Sequence, residues 1–415
     1  MTKQDILTYI DNPKELEMLY RNDKLTFTQE FQSVYPELSN NPLANFWNER
    51  LNYETEDISW GSKKELAFVI IAAIVAGMIA KLPHFLGVHP DFFYPRNIGF
   101  IAFPVLTAYF SWKNSLPLKN IILFLSVTLI GLTYINLLPP NEKSDTLILA
   151  CIHLPILLWT VLGISFTGNN VKEYQPRIKF LRYNGDLVIL ATLIAISGGI
   201  LTGATIGLFS IIGIDIKTFY LENIGVFGVA SIPIIATFIA NNNPQLINKV
   251  SPLIAKIFSP LVLLTLVVYL STVLFTGKNP YTDRNFLVMF NAVLLGVMAI
   301  ILFSVAETLK NAEQRTNSFI LFLLSIVTVL INCIALSAIL FRISEWGMTP
   351  NRFAVLGSNI LMLANLVMIT YRLWKKISRK GNRTEVENAI AMFLPVYSLW
   401  AVIVTFIFPF LFRFK

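Results

Sequence analysis

Cysteine is nearly absent, with 2 in 415 residues. That is too few for a disulfide framework or a cysteine-based zinc module. Both, Cys151 and Cys333, sit in apolar runs and read as small hydrophobes. Histidine is as scarce: His84, His89 and His153 are the only three. Their spacing is not that of a metal site, and they read as scattered polar residues, so no metal is expected. Charged residues make up 14%, against roughly a quarter in a soluble domain. This excludes an ordinary soluble or disordered chain. No Asp or Glu stands in the middle of an apolar run, and Glu307, Asp186 and Glu222 lie near run ends. A proton- or sodium-coupled carrier usually holds a buried carboxylate, so that class is disfavoured. The chain has no Walker A loop, dinucleotide fingerprint, His-Glu-x-x-His or Gly-x-Ser-x-Gly. It is therefore expected not to be an enzyme and to carry no cofactor.

Apolar residues are what the chain has in abundance. They make up 55%, and the mean hydropathy is +0.62. Eleven apolar runs follow residue 62, at about 65–82, 96–112, 118–138, 146–166, 186–212, 222–241, 252–276, 285–308, 317–342, 352–374 and 389–412. Each is long enough to cross about 30 Å of hydrocarbon at about 1.5 Å per residue, some with tilt. None alternates with the dyad period of a barrel strand, so all-α spans are the expectation. The predicted fold is a polytopic helix bundle of about eleven transmembrane helices, residues 63–415, with membrane lipids as neighbours. Trp60, Trp112, Tyr183, Tyr281, Trp346 and Trp374 stand at run boundaries, where aromatic anchors belong.

Charge divides the chain. Residues 1–62 hold 11 acidic and 5 basic residues, and residues 63–415 hold 14 acidic and 28 basic. The formal net charge is +8, but no Arg-rich stripe with interleaved aromatics appears, so nucleic acid is not the expected partner. The basic residues collect in loops. Eighteen flank the run ends on one side, densest from Arg372 to Arg383, against ten on the other. The positive-inside rule then puts the N-terminus in the cytoplasm and the C-terminus outside.

Residues 1–62 hold no run able to span a bilayer and no signal-peptide pattern. Asn12-Pro13 opens one predicted helix. Phe27, Phe31 and Val34 fit a second, stopped by Pro36. Phe46, Trp47 and Leu51 fit a third after Asn41-Pro42. A small acidic helical module is expected. It would serve as a cap on the membrane domain or as a docking site for a cytosolic partner.

The sharpest local motif is Arg342-Ile343-Ser344-Glu345-Trp346-Gly347-Met348-Thr349-Pro350-Asn351-Arg352. Thr349 suits a helix N-cap and Pro350 the first helical position, while Gly347 permits positive φ. Arg342 and Arg352 bracket Glu345, which predicts an ion-paired turn fixing two helices. The alternative is an anion- or head-group-binding site at the outer face. Ser251-Pro252-Leu253, Ser259-Pro260-Leu261 and Asn279-Pro280 precede it. Over about 251–372 this pattern resembles the bacterial family catalogued as domain of unknown function 4153, which carries a similar turn between two membrane helices. The resemblance implies a bacterial polytopic inner-membrane protein of unassigned activity.

Polar residues at membrane depth are few. Asn291, Asn332, Asn359 and Asn365 stand out, with Ser325 and Thr328 on the face of Asn332. Arg352 and Asn359, seven apart, share a stripe. Such residues face the bundle interior, as interhelical hydrogen bonds or as the lining of a solute path. Gly199, Gly203 and Gly207 form two small-xxx-small steps, which predicts close helix packing within the chain. A Gly-broken helix at a substrate site and pairing between two copies are the other readings. Two functions follow. One is a transporter or permease for a small or amphipathic solute. The other is a non-transporting membrane scaffold or sensor that uses residues 1–62.

Overall fold

The computed structural model describes residues 3–22, 24–38, 41–52, 61–141, 143–211, 214–243, 259–268, 270–271, 284–308 and 315–414. Among them there are helices and turns and no strand. The chain divides into two compact units, Met1–Ser59 and Trp60–Lys415.

The first unit holds α1 (Lys3–Thr8), α2 (Pro13–Asn22), α3 (Lys24–Val34) and α4 (Pro42–Asn52). Asn41 starts α4 by accepting from the amides of Leu43 and Ala44 at 2.8 and 3.1 Å, which satisfies donors the helix leaves open. Ile6, Leu16, Phe27, Phe31 and Trp47 form the core. Phe46, expected to share it, points outward at 61% exposure, because its neighbour Trp47 takes the inward position on the same turn. Arg50 lies over Trp47, 4.5 Å from the ring centroid. Together with Arg21 it holds Glu17 below the usual carboxylate range, with the Arg21 hydrogen bond the larger cause.

The second unit runs through α5 (Lys63–Leu86), α6 (Pro90–Lys113), α7 (Leu118–Leu137), α8 (Asp145–Thr167), α9 (Tyr174–Ile211) and α10 (Lys217–Asn242). Then come α11 (Ser259–Val268), α12 (Arg284–Thr308), α13 (Arg315–Trp346), α14 (Pro350–Ile377) and α15 (Arg383–Ala391). The last, α16, is Leu394–Val402 continued by a π turn, Ile403–Ile407, and by Phe408–Leu411. Eight helices among the described residues are long and apolar enough to cross a membrane, which is compatible with a multi-pass integral membrane protein. Eleven were expected. Helix α6 is not one of the eight, because Arg96, Asn97 and two internal prolines dilute its apolar character. The run at 252–276 is described only in part, as Ser259–Val268, and within the run at 285–308 only Asn291–Ala306 counts as an apolar helix, shorter than a span.

Packing groups the helices around two main cores. One joins α5, α6, α8, α9 and α10 through Ala72, Ala76, Phe110, Leu162 and Phe238. The other joins α12, α13, α14 and α15 through Leu294, Ile301, Leu324, Leu366 and Val386. The first half of α9 packs into both, with Phe180 in one and Ile178 in the other.

The second half of α9 corrects the expectation for the glycines. Among the described residues nothing lies within 4 Å of where a Cβ on Gly198, Gly199, Gly203 or Gly207 would stand. The close helix packing predicted there is not made among the described residues, because the neighbours of α9 meet its N-terminal half. The glycine that does meet a neighbour is Gly185, where a Cβ would overlap the Phe303 ring.

Candidate functional site

The turn between α13 and α14 keeps its predicted backbone. Thr349 Oγ1 accepts from the Arg352 amide at 3.3 Å, Pro350 takes the first helical position, and Gly347 adopts φ +76°. The predicted ion pair does not form. Glu345 is exposed, and among the described residues neither arginine reaches its carboxylate. Arg352 Nη1 instead donates to the carbonyls of Trp346 and Gly347 at 2.8 and 2.6 Å, closing the C-terminus of α13. These carbonyls have no partner inside the helix and sit at its negative end, so they outcompete a solvated carboxylate. Arg342 and Arg352 both lie on Trp346, 5.3 and 5.8 Å from its ring. Glu345→Gln should therefore shift stability by less than about 0.5 kcal/mol. Thermal melting of the purified chain in detergent checks this, and a marked loss would restore the ion pair.

The asparagines do turn inward. Asn332 and Asn365 are fully buried and Asn359 nearly so. Asn359 Nδ2 donates to Asn291 Oδ1 at 3.0 Å, and Asn332 Nδ2 to the Asn359 carbonyl at 3.2 Å. Three of the four thus meet across α12, α13 and α14. Asn365 turns to α16 instead, where it donates to the Tyr397 hydroxyl at 2.9 Å. Arg352, on the stripe of Asn359, is drawn to the end of α13 and does not join them. Neither the cavity between α8, α9 and α16 nor the groove between α13 and α14 is lined by these amides. Their arrangement is that of interhelical hydrogen bonds, with the Oδ1 atoms of Asn332 and Asn365 buried and meeting no donor among the described residues.

Two charged clusters escape the sequence reading because their partners are far apart in the chain. Glu65, 7% exposed, accepts from Lys113 Nζ at 2.8 Å, from Asn242 Nδ2 at 3.2 Å and from the Tyr109 hydroxyl. It ties together the ends of α5, α6 and α10. Arg96, 6% exposed, donates to the Ile135 carbonyl at 2.8 Å and closes the end of α7.

The arrangement with chemical capacity lies between α8, α9 and α16. A cavity of about 190 Å³ opens there, room for roughly six water-sized groups. Its apolar wall is Trp159, Ile164, Phe180, Leu394 and Pro395. Gly163 lets the Phe180 ring close against α8, since a Cβ there would come within 2.8 Å of that ring. The polar groups are few and placed at two depths. At the helix ends stands Arg177, whose Nε donates to the Val171 carbonyl at 2.9 Å and whose Nη1 donates to the Ala391 carbonyl at 3.1 Å. Deeper, the hydroxyls of Thr160 and Ser398 meet at 2.9 Å across α8 and α16. From Thr167 to Trp159 the cavity follows α8 for eight residues, about 12 Å.

The cavity sits at a break. The chain leaves helix at Met392 and Phe393, between α15 and α16, and α16 carries a π turn at Ile403–Ile407. A break frees carbonyls that hydrocarbon cannot solvate, so they must be met from within the protein. Arg177 meets that of Ala391, and its guanidinium, with five donors, keeps others for the cavity. Behind it Gln175 donates to the buried carboxylate of Glu387 at 3.0 Å, fixing α9 to α15. Helix breaks and π turns are the places where membrane bundles build binding sites. Sequence offers one faint signal, the Phe393-Leu394-Pro395 step inside the last apolar run.

No family model matches the chain, and no curated protein or solved structure matches it either.

Proposed function

We propose that this chain is a permease-like membrane protein for an amphipathic anion, which it binds in the cavity between α8, α9 and α16. The carrying observation is the pairing of an apolar slot with a cation at its rim, Arg177, beside a broken helix. A slot of this kind takes an alkyl chain, whose transfer from water is favourable by about 0.8 kcal/mol per CH₂. The guanidinium's remaining donors suit a carboxylate, sulfonate or phosphate. Orientation follows the basic loops, with the N-terminus in the cytoplasm and Arg177 on that side of a bacterial inner membrane. Kinship with the 4153 family is part of the same proposal and rests on the Arg342–Arg352 turn. Docking of a cytosolic partner by residues 1–62 is favoured by one observation, the outward Phe46.

The test uses decanesulfonate, which stays ionised and so crosses lipid slowly. Proteoliposomes of the full-length chain should take it up faster than protein-free vesicles. Gly163→Leu forces the Phe180 ring out of its place in the slot wall, and Arg177→Gln removes a charge-assisted hydrogen bond. Each should lower uptake by about tenfold or more. Uptake no faster than in empty vesicles, or an undiminished Gly163→Leu variant that melts normally, would defeat the reading.

A further inference from the structure

A second groove, of about 330 Å³, lies between α13 and α14, away from the cavity above. Phe322, Ile326 and Val329 form one wall, and Val367, Tyr371 and Trp374 the other. Each set follows the spacing of a single helix face, so the groove runs along the helix axes. Farther along, the same two helices close together where Asn332 donates to the carbonyl of Asn359. At the other end Lys376 Nζ reaches Ser318 Oγ at 3.1 Å, marking where α14 ends beside the start of α13. From Phe322 to Leu330 the groove covers eight residues, about 12 Å, most of one leaflet of a hydrocarbon core about 30 Å thick.

The end near Trp374 is cationic. Arg372, Lys375, Lys376, Arg379 and Lys380 fall within nine residues. Arg372 is paired with Glu385. Lys375 has no carboxylate partner among the described residues, and its ammonium stands 5.4 Å from the centroid of Tyr371, a wall of the groove. Tyr371 and Trp374 lie 6.2 Å apart and have the chemistry of a head-group-level anchor. The groove is thus apolar along its length and carries at its rim a cation with no carboxylate partner among the described residues. An empty groove at membrane depth would forfeit dispersion contacts on one side, so a flexible alkyl chain is its natural filling.

We propose that this groove holds one acyl chain of an anionic glycerophospholipid, with the lipid phosphate on Lys375. The charge excess at the rim selects an anionic head group over a zwitterionic one. The site is independent of the cavity lined by Arg177 and stands whether or not the chain transports anything.

Native mass spectrometry of the delipidated full-length chain tests it. The chain is titrated with dioleoyl phosphatidylglycerol and, separately, with dioleoyl phosphatidylcholine. Phosphatidylglycerol should bind about fivefold more tightly, the contribution of one lysine near an anionic head group. Lys375→Gln should abolish that preference and Lys375→Arg should keep it. Val367→Trp, which fills the groove, should weaken both lipids. Arg177→Gln should leave the preference intact, which separates this site from the proposed permease site. Equal binding of the two lipids, or an unchanged preference in Lys375→Gln, would overturn the proposal. Lys375 is not packed in the core, so its variants decide the matter even if Val367→Trp does not fold.

Discussion

Lys113→Met is expected to destabilise the membrane unit by about 3 kcal/mol. Glu65 is 9% exposed in its side chain and Lys113 is 33% exposed, at a separation of 2.8 Å. Removing the cation leaves a buried carboxylate served, among the described residues, by the neutral donors of Tyr109 and Asn242. Broken buried pairs cost about 3–5 kcal/mol, and the partial exposure of Lys113 places this one at the lower end. Thermal unfolding of the detergent-purified chain reads the effect. Lys113→Arg should retain most of the stability, because it keeps the charge. Adding Glu65→Leu to Lys113→Met should recover part of the loss, since the uncompensated charge goes with it. A wild-type melting curve for Lys113→Met would show that Glu65 is stabilised without its cation.

The second large effect is expected at Gly357. A Cβ there would lie 2.1 Å from Trp400 Cζ2. The indole cannot simply swing away, because its Nε1 donates to Ser358 Oγ at 3.0 Å and its ring packs against Phe353 and Phe408. Gly357→Val must therefore push α14 and α16 apart. Overpacking of this kind costs about 1–3 kcal/mol. It should also reach the cavity, since Leu394, Pro395 and Ser398 ride on α16. Lower melting together with lower decanesulfonate uptake is the expected pair of results. Trp400→Leu should partly restore Gly357→Val by vacating the overlapped space. A Gly357→Val chain that melts like wild type would show that α16 repacks freely.

What the sequence by itself determined was local. Helix class and approximate spans follow from the length of apolar runs, since a backbone in lipid must satisfy its own hydrogen bonds. Helix starts at Asn41 and Thr349 and the turn at Gly347 follow from capping chemistry that acts within a few residues. The inward facing of Asn332, Asn359 and Asn365 follows from the cost of amides in hydrocarbon.

Only the tertiary structure decided which partners these groups find. Arg177 meets Ala391 and Glu65 meets Asn242 across 214 and 177 residues of chain, and no local pattern links them. Glu345 illustrates the converse, because the nearby Arg352 has better acceptors in a helix end that exists only once the turn folds. The glycine face of α9 was illegible for a different reason. In a soluble helix the apolar stripe names the buried side, but lipid is as apolar as a protein core, so the faces of α9 read alike in sequence. The described neighbours that pack along α9 choose Gly185, and among the described residues none reaches Gly199, Gly203 or Gly207. The cavity rests on the same kind of choice, made where the break before α16 meets α8 and α9.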